Sequence, residues 1–298
     1  MVQSHLGEVA ALVTTLCWAI TAISFEMAGK KVGSLSVNYI RLVIGFILIS
    51  FFTFFTRGSL LPLDASTNAW IWLSISGFIG FFLGDMFLFQ SYLEIGSRIS
   101  MLVMATSPPI TALLGYVFMR ERLRYIDFIG MAITLIGIAI VVLNKNPDEK
   151  KIKLSHSFKG LVFAFLGALG QGLGLIFSKM GMGEYNPFAA TQIRIISGFV
   201  GFTILFIVMN KWKSLKNALK DPKAMFGISI GSIFGPFLGV SFSLISLKYT
   251  SVGISSTITS IVPVIIIPFS IIFLKEKIRF KELIGAVITV VGVSVLFI

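Results

Sequence analysis

Apolar residues gather into ten runs along the chain, near 8–29, 37–56, 69–95, 99–119 and 126–143, and again near 160–180, 188–209, 226–247, 252–274 and 283–298. Each run is close to the ~20 residues that a helix needs to cross ~30 Å of hydrocarbon. Lipid offers backbone amides no partner, so only helices and closed barrels span it, and runs of this length read as helices. The pattern predicts an all-α polytopic membrane protein with ten transmembrane helices. The joining stretches are short and polar. The one of any length, NKNPDEKKIKLSHS at 144–157, carries a proline and no apolar period and reads as a polar linker loop.

The runs form two sets of five. MLVMATSPPITALLGYVFMRERLRYIDFIGMAIT at 101–134 returns as STITSIVPVIIIPFSIIFLKEKIRFKELIGAVIT at 256–289. Pro108, Glu121, Arg124, Gly130 and Thr134 are matched by Pro263, Glu276, Arg279, Gly285 and Thr289, each 155 residues on. Earlier in each half, Gly7, Arg41, Gly45 and Phe46 recur as Gly160, Arg194, Gly198 and Phe199 at a spacing of 153. The third runs match too, with Gly80, Phe82, Leu83, Gly84 and Phe87 answered by Gly235, Phe237, Leu238, Gly239 and Phe242 at 155. Because five is odd, the second copy enters the membrane from the opposite side. The expected organisation is therefore two inverted five-helix repeats, 1–143 and 158–298, joined by the 144–157 linker. Inverted repeats are the arrangement by which secondary transporters hold a substrate site near the midplane and open it to each side in turn.

Composition strengthens the membrane reading. Over 298 residues, 56% are hydrophobic, 13% are charged and the mean hydropathy is +0.94, which would leave a water-soluble domain with a greasy surface. The net charge of +12 sits mostly in short loops, where it sets topology and meets anionic headgroups; no nucleic-acid-binding motif accompanies it. Of the 25 Lys and Arg, 17 fall in loops after odd-numbered runs and 6 in loops after even-numbered ones. The positive-inside rule then puts the odd loops in the cytoplasm and both termini outside. Cys17 lies alone inside the first run, and the two histidines, His5 and His156, fall outside the runs. Neither a disulfide framework nor a metal site is expected. No basic segment precedes the first apolar run, which reads as a retained span and not a cleaved leader.

These features carry a family resemblance. The doubled five-span unit, the prolines Pro108 and Pro263 in the fourth and ninth spans, the acidic corners leading to Gly130 and Gly285, and Arg41 and Arg194 near the starts of the second and seventh spans resemble a ten-span, EamA-type member of the drug/metabolite transporter superfamily. The likeness covers essentially the whole chain. It implies a membrane transporter with both termini cytoplasmic, opposite to the loop-charge count. It does not single out a substrate, because that superfamily handles amino acids, sugars and nucleotide sugars, organic anions and drugs.

Ionisable and polar residues inside spans are costly and so point to function. Asp85 lies deep in the third run, and its repeat position holds Val240; it reads as a substrate contact, a proton carrier, or one partner of a buried salt bridge. Arg41 and Arg194 could reach headgroups or bind an anionic group. Glu26 and Lys179 occupy equivalent positions, as a gate across the pseudo-two-fold axis or as solvated charges on opposite faces. Trp18 stands at midspan and aligns with Gln171, an aromatic wall facing an amide. Tyr39 and Gln192 complete the candidate set for substrate binding or coupling. Pro108 and Pro263 are expected to kink their spans and to line the cavity. The glycine stripe of GSIFGPFLG, Gly231, Gly235 and Gly239, reads as a close-packing face.

No enzyme signature stands in the sequence: no metal-spaced His and Glu pair, no G-x-S-x-G, no P-loop. The expected function is a secondary transporter at the plasma membrane that moves a small organic metabolite, such as an amino acid or related solute, by alternating access. No cofactor is expected. Partners are the solute, the lipid bilayer and, as candidate coupling ion, protons. A non-transporting receptor or assembly protein on the same scaffold is the competing reading.

Overall fold

The computed structural model describes residues 5–119, 124–145, 152–154, 156–250, 255 and 258–296. Among the described residues the regular structure is helical apart from one short antiparallel pair, β1 (Leu143–Lys145) and β2 (Ile152–Leu154), in register Asn144 with Lys153. The pair sits where the sequence suggested a polar linker loop. Alternation of Ile152, Lys153 and Leu154 provides the strand period, and the polar composition of the stretch hid it.

The first half runs α1 (Leu6–Val32), α2 (Ser34–Arg57), α3 (Thr67–Gly77), a π-helical turn π1 (Phe78–Gly84), α4 (Asp85–Met104), α5 (Ser107–Met119) and α6 (Tyr125–Val142). The second runs α7 (Phe158–Met182), α8 (Pro187–Met209), a short α9 (Trp212–Ala218), α10 (Pro222–Ser232), π2 (Ile233–Gly239), α11 (Val240–Tyr249), α12 (Val262–Leu274) and α13 (Phe280–Leu296). Among the described residues, seven helical stretches are long and apolar enough to cross a membrane by themselves. One of them, the 38 residues of Thr67–Met104, holds parts of two spans. Gly96 divides it with φ 79°, a left-handed backbone angle that favours glycine, so the third span ends at Ile95 and the fourth begins at Ser97.

The two copies are related by inversion, and the packing shows it. Ser76, Gly80 and Gly84 run along α7 in the opposite direction, against Ser178, Gly174 and Gly170. A Cβ on Gly170 would stand 2.6 Å from the Gly84 Cα, so here backbones touch. The equivalent seam joins α1 to the eighth span. There Gly231, Gly235 and Gly239 face Phe25, Thr21 and Trp18. The Gly231–Phe25 and Gly235–Thr21 contacts are images of Ser76–Ser178 and Gly80–Gly174 under the 153 and 155 shifts, and at the third level Gly239 meets Trp18, one residue beyond the counterpart of Gly170, so bulky side chains fill one side. π1 and π2 are themselves 155 residues apart at both ends.

Helix caps repeat as well. Ser66 Oγ accepts from the Ala69 amide at 3.2 Å, and Asp221, 155 residues on, accepts from the Ala224 amide at 2.9 Å. Each satisfies an otherwise orphaned donor at a helix start. The prolines that were expected to kink their spans divide them. Pro108 and Pro109 deny donors to the carbonyls of Met104 and Ala105, and Pro263 does the same to Thr259. The chain answers with turns at 105–106 and 260–261, after which α5 and α12 start afresh.

Candidate functional site

Between the halves lies a cavity of about 160 Å³, bounded by α1, the third span, the broken fourth and ninth spans, α7 and π2. A void on the order of 150 Å³ admits a single aromatic ring. Most of its wall is apolar, with Trp18, Phe25, Phe89, Leu88, Met101 and Val262 among the contributors. Pro108 and Pro263 both stand on the wall, beside Met104, Ala105 and Thr259. Thr111 is buried there and its hydroxyl has no partner among the described residues.

One polar cluster stands out from this lining. Asp85 opens α4 directly after π1, 4% exposed. Its Oδ2 accepts from Arg41 Nη2 at 2.5 Å and its Oδ1 from Gln171 Nε2 at 2.7 Å. Arg41 also donates from Nε to Asn38 Oδ1 at 3.0 Å and from Nη2 to the Phe81 carbonyl at 3.3 Å, and it lies 4.7 Å from the Phe89 ring centre. A buried ion pair holds only when the remaining polar atoms are satisfied, and most of these are. Of the alternatives the sequence left open for Asp85, the structure shows the salt bridge, on the wall of the cavity. Trp18 and Gln171, equivalent by the repeat, face the same space from α1 and α7.

Arg194 occupies the repeat position of Arg41 in a different setting. It is 4% exposed, and its guanidinium lies 4.6 Å from the centre of Phe81, a ring on the cavity wall. Among the described residues no carboxylate lies within ion-pair distance of it, and its Nε is buried with no hydrogen bond. Val240, where a second aspartate would stand, lines the cavity instead.

The other candidates lie off the wall. Glu26 is fully buried, not solvated: its Oε2 accepts the Ser97 amide at 2.6 Å, capping the helix that restarts after Gly96, and its Oε1 takes Lys30 at 2.5 Å. Lys179 is exposed toward the other end of the bundle, near Gly181, which packs on Trp72, so these two charges form no gate with each other. Tyr39 packs among Phe199, Phe206 and Trp212 and accepts at its hydroxyl from Thr203 at 3.4 Å. Gln192 donates to Ser50 Oγ at 2.8 Å and to the Leu60 carbonyl at 2.6 Å, tying the halves together away from the cavity.

Sequence reasoning missed Arg98. It begins the fourth span and reaches across to the second half, where it donates from Nε to Glu276 at 2.7 Å and from Nη1 to Glu282. The repeat gave a signal: Glu276 has an acidic counterpart in Glu121, whereas Arg98 corresponds to Gly253. Glu121 and Arg122 of the first corner lie outside the described residues, as does Gly253.

Residues 5–143 and 158–298 each match the model of the EamA-like transporter family, one match per half. An uncharacterized transporter of Archaeoglobus fulgidus is 23% identical over 290 residues, 96% of either chain. The uncharacterized transporter YyaM of Bacillus subtilis is 24% identical over 223 residues, covering 74% of this chain and 70% of its own. A solved crystal structure at 15% identity superposes over 97% of this chain and 95% of its own with a TM-score of 0.62, a likeness of fold.

Proposed function

The chain belongs to the EamA-like transporter family, a multi-pass membrane transporter, and from that premise we propose a secondary transporter that carries a small organic solute through the Trp18–Asp85–Gln171 cavity by alternating access. What carries the reading is the position of the cavity: it lies at the seam of two inverted halves, with both proline-broken spans on its wall. Such broken spans are where backbone departs from helix at membrane depth in transporters.

Alternating access needs one end of the bundle to close as the other opens. The Arg98 bridge to Glu276 and Glu282 joins the two halves at the Gly96 end and is the contact that must break when that end opens. Coupling falls to Asp85, the one carboxylate on the cavity wall among the described residues; Glu26 lies off that wall, bonded to Ser97 and Lys30.

Two experiments test this. In proteoliposomes, a bifunctional thiol reagent joining Arg98→Cys to Glu276→Cys is expected to abolish solute flux, with reduction of a cleavable linker restoring it; unchanged flux in the linked protein would overturn the role of that end. Proton-driven uptake is expected to lose its dependence on a pH gradient in Asp85→Asn and to keep it in Glu26→Gln. Retention in the Asp85 variant removes that residue from coupling.

A further inference from the structure

The two halves differ by one negative charge. In the first, the buried guanidinium of Arg41 meets the carboxylate of Asp85 at 2.5 Å. In the second, Arg194 holds the equivalent position, Val240 replaces the aspartate, and the guanidinium is 4% exposed with an unbonded Nε. The carboxylate that acts on it, Asp85, lies beyond ion-pair distance and is bonded to Arg41 and Gln171, so the burial of this second cation is under-compensated, and the π face of Phe81 offsets only part of the cost. Of the three buried charges around the cavity, Arg41, Asp85 and Arg194, two are positive and one is negative. The position from which the missing charge would act is Val240, and Val240 is on the cavity wall.

From this we infer that the cargo is a small apolar monoanion, whose carboxylate supplies to Arg194 the charge that Asp85 supplies to Arg41. The inference rests on the cavity being the substrate site and adds the substrate's charge. An ammonium group finds less here, because both oxygens of Asp85 are already taken, by Arg41 and by Gln171. The apolar body of the cargo faces Trp18, Phe89 and Met101, and the unpartnered hydroxyl of Thr111 supplies one more donor. Arg194 is not itself on the cavity wall, whereas Phe81, the ring its guanidinium lies over, is, so binding requires Phe81 to turn aside. The seven-residue π1 turn that carries Phe81 is the part of the third span least constrained by regular i to i+4 bonds.

The test compares 3-phenylpropanoate, its neutral amide, 3-phenylpropylamine and inorganic phosphate, by calorimetry on the purified full-length protein in a neutral detergent free of anionic lipid. The acid is expected to bind at least about tenfold more tightly than the amide or the amine, in keeping with a hydrogen bond to a buried charged group. Phosphate should bind no better than the amide. Arg194→Gln should remove the acid's advantage. Val240→Asp, which supplies the missing carboxylate within the chain, should raise the melting temperature of the ligand-free protein and weaken the acid about tenfold, whereas Val240→Asn should do neither. Equal or tighter binding of amide or amine that is abolished by Val240→Phe, which fills the cavity, overturns the charge inference and leaves the cavity as the site. Phosphate binding as tightly as the acid overturns the apolar-body requirement. Acid binding that survives Val240→Phe overturns the cavity reading itself.

Discussion

The two five-helix halves share a backbone plan and divide the labour of their side chains. At the seam between the third span and α7, Gly80 and Gly84 meet Gly174 and Gly170, backbone against backbone, and the ion pair of Asp85 sits directly above. At the seam between α1 and the eighth span, the glycines lie on one side only, and Phe25, Thr21 and Trp18 fill the space that the other seam leaves to carbonyls. A repeated backbone thus fixes the position of the cavity, while the positions at which the repeat fails give it polarity: a charged corner at the seam of the third span with α7 and an apolar, aromatic one at the seam of α1 with the eighth span.

The sharpest way to break this contrast is to make the first half resemble the second. Asp85→Val strands Arg41 without its partner, and removal of one member of a buried pair costs about 3–5 kcal/mol. A melting temperature of the detergent-solubilised protein lowered accordingly is the expected outcome, and the reverse change, Arg41→Leu in the Asp85→Val background, should recover part of it. A smaller effect separates the seams. Gly170→Ala would drive a Cβ into backbone at 2.6 Å, whereas Gly235→Ala meets side-chain atoms, the Thr21 methyl at 2.9 Å and its hydroxyl at 3.3 Å. The first is expected to cost about 2–3 kcal/mol and the second about 1 kcal/mol or less, in the range of overpacked sites; equal losses in thermal unfolding would mean that the two seams are alike.

The smallest effect concerns the matched caps. The Ala224 amide holds the Asp221 carboxyl below its usual range, whereas Ser66 does not titrate. A folded pKa below the unfolded one of about 3.9 contributes stability that is present above that value and is lost as pH falls through the folded pKa. The wild-type protein should therefore lose more thermal stability than Asp221→Ser between pH 5 and pH 3, and parallel curves would remove the cap from the account.

Fold was legible because it rests on quantities that a sequence displays, run length and the 153 and 155 spacings. The cavity wall was legible in part for the same reason: Trp18, Gln171 and Asp85 are polar or aromatic residues at midspan where the repeat changes. Arg98 and Glu26 show the limit. Glu26 finds its partner in a backbone amide 71 residues away, exposed only because Gly96 interrupts a helix, and no side-chain pattern announces that. Tyr39 and Gln192 show the converse, since a polar side chain at midspan is as well satisfied by a neighbouring helix as by a cargo.

The paired π turns have a historical consequence. A π turn adds one residue to a helical turn without extending the helix, and it weakens the helix that carries it. Two independent insertions would have no reason to fall at positions 155 apart at both ends, 78–84 and 233–239. One insertion, made in an ancestral five-helix protein and copied with it, accounts for both, and places this slack turn in the molecule before there was a second half for it to move against.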